Sequence, residues 1–536
     1  MDAKKKRVAI VGAGPSGLAA CKHALAKGFC PEVFESGTAV GGVWNRTLAS
    51  TRLQTPASAY RFSDFPWPAS AADEGLFPRH DQVAEYMAAY ARRFGVLERV
   101  RFGCRVLGAS YVGATEQEVA AWERWSGNGE AFGDGTGEWH LTVRHGDGDG
   151  DGDAESEGGS TQTYRFDFLI LCVGRYGVAK LPTFPDGRGP EVFRGRVLHS
   201  MEYSAMAHAD AAELVRGKRV AVVGAGKSAM DIAAQCAEAN GSRYPCTMVY
   251  RSAHWMMDPK LAITFTSARW TELMVHKPGE GFALSLLATA LTPLRWLISK
   301  LAEVYYKRSI PMQEHGMVPD GSFSQGSLGW RIGIHPEGFY DRVDDGSVAL
   351  RRCRGSVGFC ADGLVVLDDD DDVVVGADVV ILSTGFHIDR PLRDVFASPW
   401  FGEMVAPDDG GAAAVLPLYR HCVHPRVPQM AVVGYVESGS SIYPYEMMAK
   451  WVAHLLDGAV RLPPVRDMER DVAEWARWGR WARRACGGFF LKSCIASVST
   501  WYHDQLCRDM GHRPRRKAGL LAEWLHPYGP TDYAGI

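Results

Sequence analysis

The sequence has no closely spaced pair of cysteines. Its twelve cysteines are scattered, and none stands in a C-x2-C or C-x4-C arrangement. This absence excludes a zinc ribbon and a redox-active dithiol, and scattered free thiols are typical of a reducing compartment. His421 and His424 have a spacing that suits a metal, but no third ligand lies near them in the sequence, which favours a plain loop. We therefore expect a cytoplasmic protein without a metal site.

The sequence also lacks a long apolar run and a strong charge of one sign. Its longest apolar stretch, 282–294, has about 13 residues, whereas roughly 18 are needed to span a bilayer. The formal net charge of −3 gives no reason to expect a nucleic acid as partner. The first predicted strand begins at about Arg7, which leaves no room for a removable leader. We expect a soluble protein with no transmembrane segment, while a peripheral membrane contact at 282–294 stays open.

The chain does have two glycine-rich turns of the kind that holds a dinucleotide. In the first, Gly12 allows the tight turn, Gly14 lets the backbone approach a pyrophosphate, and Gly17 allows close packing of helix on strand. A predicted strand at 7–11 precedes this turn, a predicted helix follows it to about residue 26, and a second predicted strand ends in Glu35. An acid at that distance can bind ribose hydroxyls. The unit is therefore a βαβ dinucleotide site.

A second glycine pair follows the ribose acid. Gly42, Val43 and Trp44 come directly after Gly41, and two glycines beside an aromatic residue suit a close backbone approach to a flat ring. The alternative is a plain glycine turn with a core tryptophan. The motif by itself does not distinguish these two interpretations.

The second glycine turn comprises Gly224, Gly226, Ser228 and Ala229, and its predicted flanking strands lie at 218–223 and 247–250. The second of these strands is followed by Arg251, where the first unit has an acid. An arginine there can bind a 2′-phosphate, which favours NADPH over NADH. A solvated arginine at a strand end is the alternative.

Between the two turns lies a spaced pattern that starts at Phe193. It continues with Gly195 and His199 and ends in Tyr203. A lone histidine is more often structural than catalytic, and we expect His199 to brace the passage between two cofactor domains.

The order of these units predicts an α/β protein with two Rossmann-like domains, the second inserted into the first. We expect a first dinucleotide-binding part at 1–195, an NADPH-binding domain at 196–377 with an insertion at 253–330, and a return to the first domain with a helical region at 378–536. At this return we expect Thr384 and Gly385 to bind cofactor. The insertion could be a cap, a membrane-touching surface or the roof of a substrate pocket. Acidic segments at 145–160 and 368–372 are expected to be solvated turns.

The whole set of motifs resembles the flavin-containing monooxygenase family, in order and at family spacing. The matching segments are GAGPSG, the ribose acid, GGVW, FRGRVLHSMEY, GAGKSA and STGF. Within the family, the segments QTPASAYRFSDFPWP and HPYGPTDY resemble the long-chain plant branch that includes an enzyme N-hydroxylating pipecolic acid. Many members carry an asparagine that contacts the flavin and the nicotinamide; Gln54 stands at that position and keeps the same donor and acceptor groups.

The resemblance implies an NADPH-dependent enzyme of the dimethylaniline monooxygenase type. NADPH would reduce FAD, the reduced flavin would add O2 as a C4a-hydroperoxide, and a nucleophilic nitrogen or sulfur of a small molecule would take one oxygen atom. The substrate is an amine or a thioether, with an amino-acid-like amine as one candidate. Alternatives are a Baeyer–Villiger enzyme, a flavin-dependent oxidoreductase or oxidase, and a nucleotide-binding protein without activity. Gln54 is the one candidate catalytic residue.

Overall fold

The computed structural model describes residues 6–68, 77–121, 129–133, 137–146, 159–257, 269–368 and 372–536. Strands and helices alternate along these residues. The strands are β1 Arg7–Val11, β2 Cys30–Phe34, β3 Val100–Arg101, β4 Cys104–Val112, β5 Glu138–His145, β6 Thr161–Phe166, β7 Phe168–Leu171, β8 Arg196–His199, β9 Val220–Val223, β10 Cys246–Tyr250, β11 Trp255–Met256, β12 Ile332–Gly333, β13 Val348–Arg352, β14 Ser356–Cys360, β15 Gly363–Leu367, β16 Asp372–Gly376, β17 Val379–Leu382 and β18 Met430–Val432.

The α-helices are α1 Pro15–Ala26, α2 His80–Arg93, α3 Glu116–Ala121, α4 Ser200–Ala205, α5 His208–Val215, α6 Lys227–Asn240, α7 Arg269–Glu272, α8 Phe282–Ala290, α9 Thr292–Ser309, α10 Phe323–Leu328, α11 Phe339–Asp344, α12 Arg390–Arg393, α13 Pro399–Val405, α14 Ile442–Leu456, α15 Val465–Ala485, α16 Ser499–Asp509 and α17 Leu520–Leu525. Short 3₁₀ turns stand at Gly42–Asn45, Leu97–Arg99, Pro190–Val192, Gly241–Arg243, Ala496–Val498 and Pro530–Tyr533.

The first sheet is parallel and has the order β18-β7-β1-β2-β3. All four residues of β7 are buried, as are the last four of β1. Such uninterrupted apolar strands fit a parallel sheet that is covered on both faces. On one face, α1 packs between the sheet and the largely buried helix α14. The predicted βαβ unit is confirmed, with the first glycine turn at the carboxyl end of β1.

The second sheet is also parallel and has the order β13-β10-β9-β17-β8. The strand Val379–Leu382 therefore pairs with β9 and β8. The expectation that the chain returns to the first domain at 378 is wrong for this strand. Its four buried apolar residues and the glycine turn after it fit the centre of either parallel sheet, so the sequence pattern alone did not distinguish them. The chain contributes again to the first sheet at β18.

The two segments that cross between the sheets lie side by side. The chain leaves the first sheet after β7 and returns to it at β18, and these strands are neighbours. It enters the second sheet at β8 and leaves it after β17, which are neighbours too. Between the sheets, the Lys180 amide donates to the Gly385 carbonyl at 3.0 Å, and the His387 amide donates to the Val178 carbonyl at 2.9 Å.

Two small antiparallel sheets, β4-β5-β6 and β14-β15-β16, flank the acidic segments. Strands β5 and β6 pair with each other, as do β15 and β16, so each segment connects two antiparallel neighbours. Residues 147–158 and 369–371 themselves lie outside the described residues.

The insertion contains a bent pair of helices, α8 and α9. The apolar stretch 282–294 is broken at Leu291, because Pro293 starts a new helix in its first turn. Within the described parts of the chain, no single helix is long and apolar enough to cross a membrane. Only α8 and α9 taken together meet that criterion, and they are bent by 45°.

Candidate active site

A cleft of about 1740 Å³ runs from the first glycine turn to the C-terminal segment. The first turn, the ribose acid Glu35 and the 3₁₀ turn Gly42–Asn45 line one part of it. Gln54 and Trp330 line another part, with residues 437–441 between. The cleft therefore joins sequence motifs that lie more than 500 residues apart, from Gly12 to Asp532.

The outer glycines of the first turn have no room for a side chain. Gly12 has φ +99°, and a Cβ there would lie 2.5 Å from the Cys172 carbonyl oxygen. A Cβ on Gly17 would lie 1.9 Å from the Gly12 carbonyl oxygen. The tight turn and the close packing expected of these glycines are both present, and both are contacts within the protein.

The middle glycine is different, because its missing side chain faces open space. A Cβ on Gly14 would meet nothing nearer than the Gly42 Cα at 3.8 Å. Gly14 is also the N-cap residue of α1 and gives that helix no side-chain cap. The first amides of α1 are thus left for an anion, and a pyrophosphate is the anion that a dinucleotide supplies. The turn fits FAD on these grounds.

Glu35 lies directly beside the turn. Its Oε2 accepts a hydrogen bond from the Ala13 amide at 2.7 Å, and its Oε1 accepts one from the Gly37 amide at 2.8 Å. Each carboxylate oxygen can accept a second bond, so ribose hydroxyls can share this carboxylate. Val43 is half exposed in the cleft, and the Trp44 indole donates to the Tyr60 hydroxyl at 3.1 Å.

Gln54 lines the same cleft and is held by the residue that follows β12. Its Oε1 accepts a hydrogen bond from the Ile334 amide at 3.0 Å, next to β12. The donor end of the amide, Nε2, is therefore the group that remains for a ligand. This placement suits the role that the family resemblance implies for Gln54.

The second turn repeats the geometry of the first. Gly224 has φ +143°, and a Cβ there would lie 2.4 Å from the Ser383 carbonyl oxygen. Around Gly226, the N-cap residue of α6, the space within 4 Å of a built Cβ is open, and this helix too has no side-chain cap. Ser228 is exposed in the first turn of α6, whereas Ala229 is fully buried against the sheet. These residues do not line the large cleft.

Arg251 follows β10 directly and is exposed at the end of that strand. Its cationic neighbour is Arg331. The pKa of Arg331 is lowered, mainly by burial and then by the charge of Arg251. Arg331 also lines a small cavity of about 70 Å³ beside this strand end. Two guanidinium groups together suit a 2′-phosphate better than one. No sequence pattern pointed to Arg331. Lys227, next to the second turn, forms an ion pair with Asp231 on its own helix.

Thr384 and Gly385 belong to the crossing segment and do not line the cleft. The Thr384 hydroxyl donates to the Lys180 carbonyl at 2.6 Å. Their cofactor contact stays a prediction.

His199 caps α4, because its Nδ1 accepts from the Met201 amide at 3.1 Å, and its ring lies against Phe386. These contacts are those of a residue that braces the crossing segments.

His421 and His424 are buried, and within the described residues no three histidine, cysteine or acidic side chains form a metal-sized group.

Several residues of the cleft carried no motif. Arg175 and Tyr176 stand in the first crossing segment, and Glu437 stands after β18. For Arg175, the one available signal is its position just after a buried strand that ends in glycine.

The fold and the cleft define a two-dinucleotide flavoprotein oxidoreductase. The chain belongs to the flavin-containing monooxygenase family: the family model described as flavin-binding monooxygenase-like matches residues 5–124 and 145–514. A relative described as "Probable flavin-containing monooxygenase 1" of Arabidopsis thaliana is 34% identical, over 98% of this chain and 96% of its own length. The enzyme is an FAD- and NADPH-dependent monooxygenase.

Solved structures share the fold. A steroid monooxygenase bound to NADP has a TM-score of 0.61 at 18% identity and covers 95% of this chain and 98% of its own. S-allyl-L-cysteine S-oxygenase from Allium sativum has a TM-score of 0.54 at 19% identity and covers 95% of this chain and 89% of its own. At these identities the likeness concerns the fold.

Proposed function

We propose that the enzyme transfers one oxygen atom from O2 to the nitrogen of a small amino-acid-like amine, as in the N-hydroxylation of pipecolic acid. The single observation behind this proposal is the cleft, where the FAD turn, Gln54 and a row of polar residues at 437–441 meet. The resemblance of the 54–68 and 526–533 segments to the plant branch supports the choice of an amine.

The residues divide the work by position. Glu35 and the first amides of α1 hold the FAD ribose and pyrophosphate, while Arg251 with Arg331 holds the 2′-phosphate of NADPH. Bound FAD, once reduced by NADPH, supplies the activated oxygen. Gln54 orients the cofactors through its free Nε2. We propose unit boundaries of 1–195 and 383–536 for FAD and 196–382 for NADPH, moved past β17 because that strand belongs to the second sheet.

The test is an isotope experiment with purified holoenzyme, NADPH and ¹⁸O2 on a panel of cyclic amino acids, amines and thioethers. Incorporation of one ¹⁸O atom into an N-hydroxylated product, with one NADPH consumed per product, is the expected result. NADPH consumption that yields only hydrogen peroxide with every member of the panel would contradict oxygen transfer and favour an oxidase.

A Baeyer–Villiger activity is the second candidate, because the steroid monooxygenase shares the fold. The spaced pattern from Phe193 to Tyr203 argues against it. Baeyer–Villiger enzymes have a tryptophan at the last position of this pattern, whereas this chain has Tyr203, which is buried. A ketone panel decides the point, since ester or lactone products are expected only from a Baeyer–Villiger enzyme.

We also propose that α8 and α9 rest on an anionic lipid surface. The outward face of α9 carries Leu297 and Leu301, which are 48% and 62% exposed, whereas Ser299 and Glu303 are buried against the protein. A helix with its apolar face outward and basic residues at its borders is typical of interfacial membrane binding. Arg308 is exposed at the C-terminal end of α9, and Lys300 is 45% exposed while it pairs with Glu303. The free thiols at all twelve cysteines support the cytoplasm as the compartment.

A further inference from the structure

Glu437 presents half of its carboxylate to the cleft. Its Oε2 accepts a hydrogen bond from the Tyr176 hydroxyl at 2.8 Å and lies 3.6 Å from Nη1 of Arg175. Among the described residues, no hydrogen bond reaches its other oxygen, Oε1. Since Glu437 lines the cleft, Oε1 is the atom that a ligand can meet.

The surroundings hold this carboxylate in one place. The Glu437 amide donates to the Ser493 carbonyl at 3.0 Å, and the Ile495 amide donates to the Glu437 carbonyl at 2.8 Å. The Arg175 side chain is 2% exposed, and its Nη2 donates to the Lys492 carbonyl at 2.8 Å. A guanidinium stays charged in a protein, and its attraction holds the adjacent Glu437 carboxylate in place. Glu437 is therefore a fixed group that accepts hydrogen bonds and donates none.

The segment that carries Glu437 connects the two ends of the reaction site. At one end, Gly434 lies against Ser16 in the first turn of α1. At the other end, the hydroxyl of Thr55, the residue that follows Gln54, donates to the Gly439 carbonyl at 2.7 Å. The Trp330 ring lies 3.2 Å from the position of a Cβ on Gly439. Glu437 thus lies between the FAD turn and the residue that orients the cofactors.

We propose that Glu437 selects the substrate by accepting a hydrogen bond from the nitrogen that is oxygenated. The inference rests on the proposed function and narrows its substrate class to primary and secondary amines. In the neutral form that reacts, such an amine keeps an N–H group for Oε1, whereas a tertiary amine and a thioether have none. Because Arg175 balances the charge of the carboxylate, the selection works through the hydrogen bond and not through net charge.

Three probes of nearly equal shape separate these classes: N-methylbenzylamine, N,N-dimethylbenzylamine and benzyl methyl sulfide. For Glu437→Gln we expect KM to rise about tenfold for N-methylbenzylamine, as for the loss of one charge-assisted hydrogen bond. KM for the sulfide and the tertiary amine should stay within about twofold of the wild type. Asp210→Asn is the matched control, because Asp210 is an exposed acid lining the same cleft on α5.

Removing one partner of a buried ion pair can destabilise the fold. The double variant Arg175→Met/Glu437→Leu removes both charges and carries the same test if the single variant fails to fold. Calorimetric binding of N-methylbenzylamine to the holoenzyme provides a readout besides turnover. Equal changes for all three probes would overturn the role of Glu437. Binding of N-methylbenzylamine that depends on Glu437, in an enzyme that yields only hydrogen peroxide with the cyclic amino acids and with every amine and thioether tested, would support the selection and overturn the proposed function.

Discussion

Gly14 and Gly42 face each other at the first glycine turn, and neither has a side chain to close the space between them. A Cβ on Gly42 would lie 3.2 Å from the Gly14 Cα, and one on Gly14 would lie 3.8 Å from the Gly42 Cα. The turn thus leaves bare backbone on two sides, which is what a pyrophosphate needs for close approach.

The first prediction separates folding from cofactor binding. Gly14→Ala meets only an ordinary contact within the protein, so the apoprotein should keep its Tm, but the methyl group should block the pyrophosphate and prevent FAD retention. Gly17→Ala is the contrasting variant, since its Cβ would lie 1.9 Å from a carbonyl oxygen and should lower Tm as well. The flavin content of purified protein and calorimetry measure the two effects. A Gly14→Ala enzyme that keeps its full flavin content contradicts the site.

The second prediction concerns the choice of nicotinamide cofactor. Arg251→Ala should raise KM for NADPH about tenfold or more, the loss expected for a hydrogen bond between charged groups, and leave KM for NADH nearly unchanged. Arg165→Ala, a change at an exposed arginine on β6, outside the second sheet, is the control. Steady-state kinetics with both cofactors decide the point, and equal effects on both would mean that Arg251 does not contact the 2′-phosphate.

The third prediction tests the donor end of Gln54. Gln54→Ala removes both the acceptor for Ile334 and the free Nε2, so oxygenation should slow about tenfold or more while NADPH is still consumed. Gln54→Asn keeps the amide on a shorter side chain, and its oxygenation rate should lie between those of the wild type and Gln54→Ala. Product and hydrogen peroxide formed per NADPH are measured together. An unchanged ratio in Gln54→Ala would show that the amide does not position the reaction.

The fourth prediction is a pH effect on stability. Glu446 is 1% exposed, and burial alone would raise its pKa, but His23, Lys450 and the Ser63 amide lower it to about 2. A depressed folded-state pKa stabilises the protein above the unfolded value near 4.5 and loses this effect as the pH falls towards 2. We expect the loss to be about 3 kcal/mol.

The matching variant is Glu446→Gln, which leaves the buried Lys450 without its carboxylate and should cost about 3–5 kcal/mol at neutral pH. Between pH 4.5 and 2 this variant should lose less stability than the wild type does. Denaturant titrations at several pH values measure both. Parallel curves for the two proteins would show that Glu446 does not titrate in this range.

The fifth prediction concerns the outward face of α9. The double variant Leu297→Glu/Leu301→Glu should abolish flotation with vesicles of phosphatidylserine and phosphatidylcholine and leave Tm unchanged, because both side chains already face solvent. Leu520→Glu/Leu521→Glu makes the same change at leucines that are 75% and 77% exposed on α17, and it should not affect flotation. Wild-type protein that stays with the aqueous fraction would exclude this contact.

Much of the dinucleotide-binding framework could be predicted from the sequence, because turns, strand lengths and glycine spacing are local properties. Strand β1 was predicted residue for residue, and α1 ends at Ala26 as expected. The sheet of β17 could not be predicted, because a short buried strand carries no label for its partner. Arg331 and Arg175 were missed for a related reason: each reaches its site through contacts between distant segments, which leave no spacing in the sequence.

The paired crossing segments set the way in which the two halves can move. A single linker would act as a swivel, but Val178–Lys180 and Gly385–His387 are tied by backbone hydrogen bonds and form a two-stranded strap. Twisting one half against the other would shear these bonds, whereas bending keeps them. We therefore expect the cleft to open and close by bending of this strap, which would keep the flavin side and the nicotinamide side in the same relative orientation.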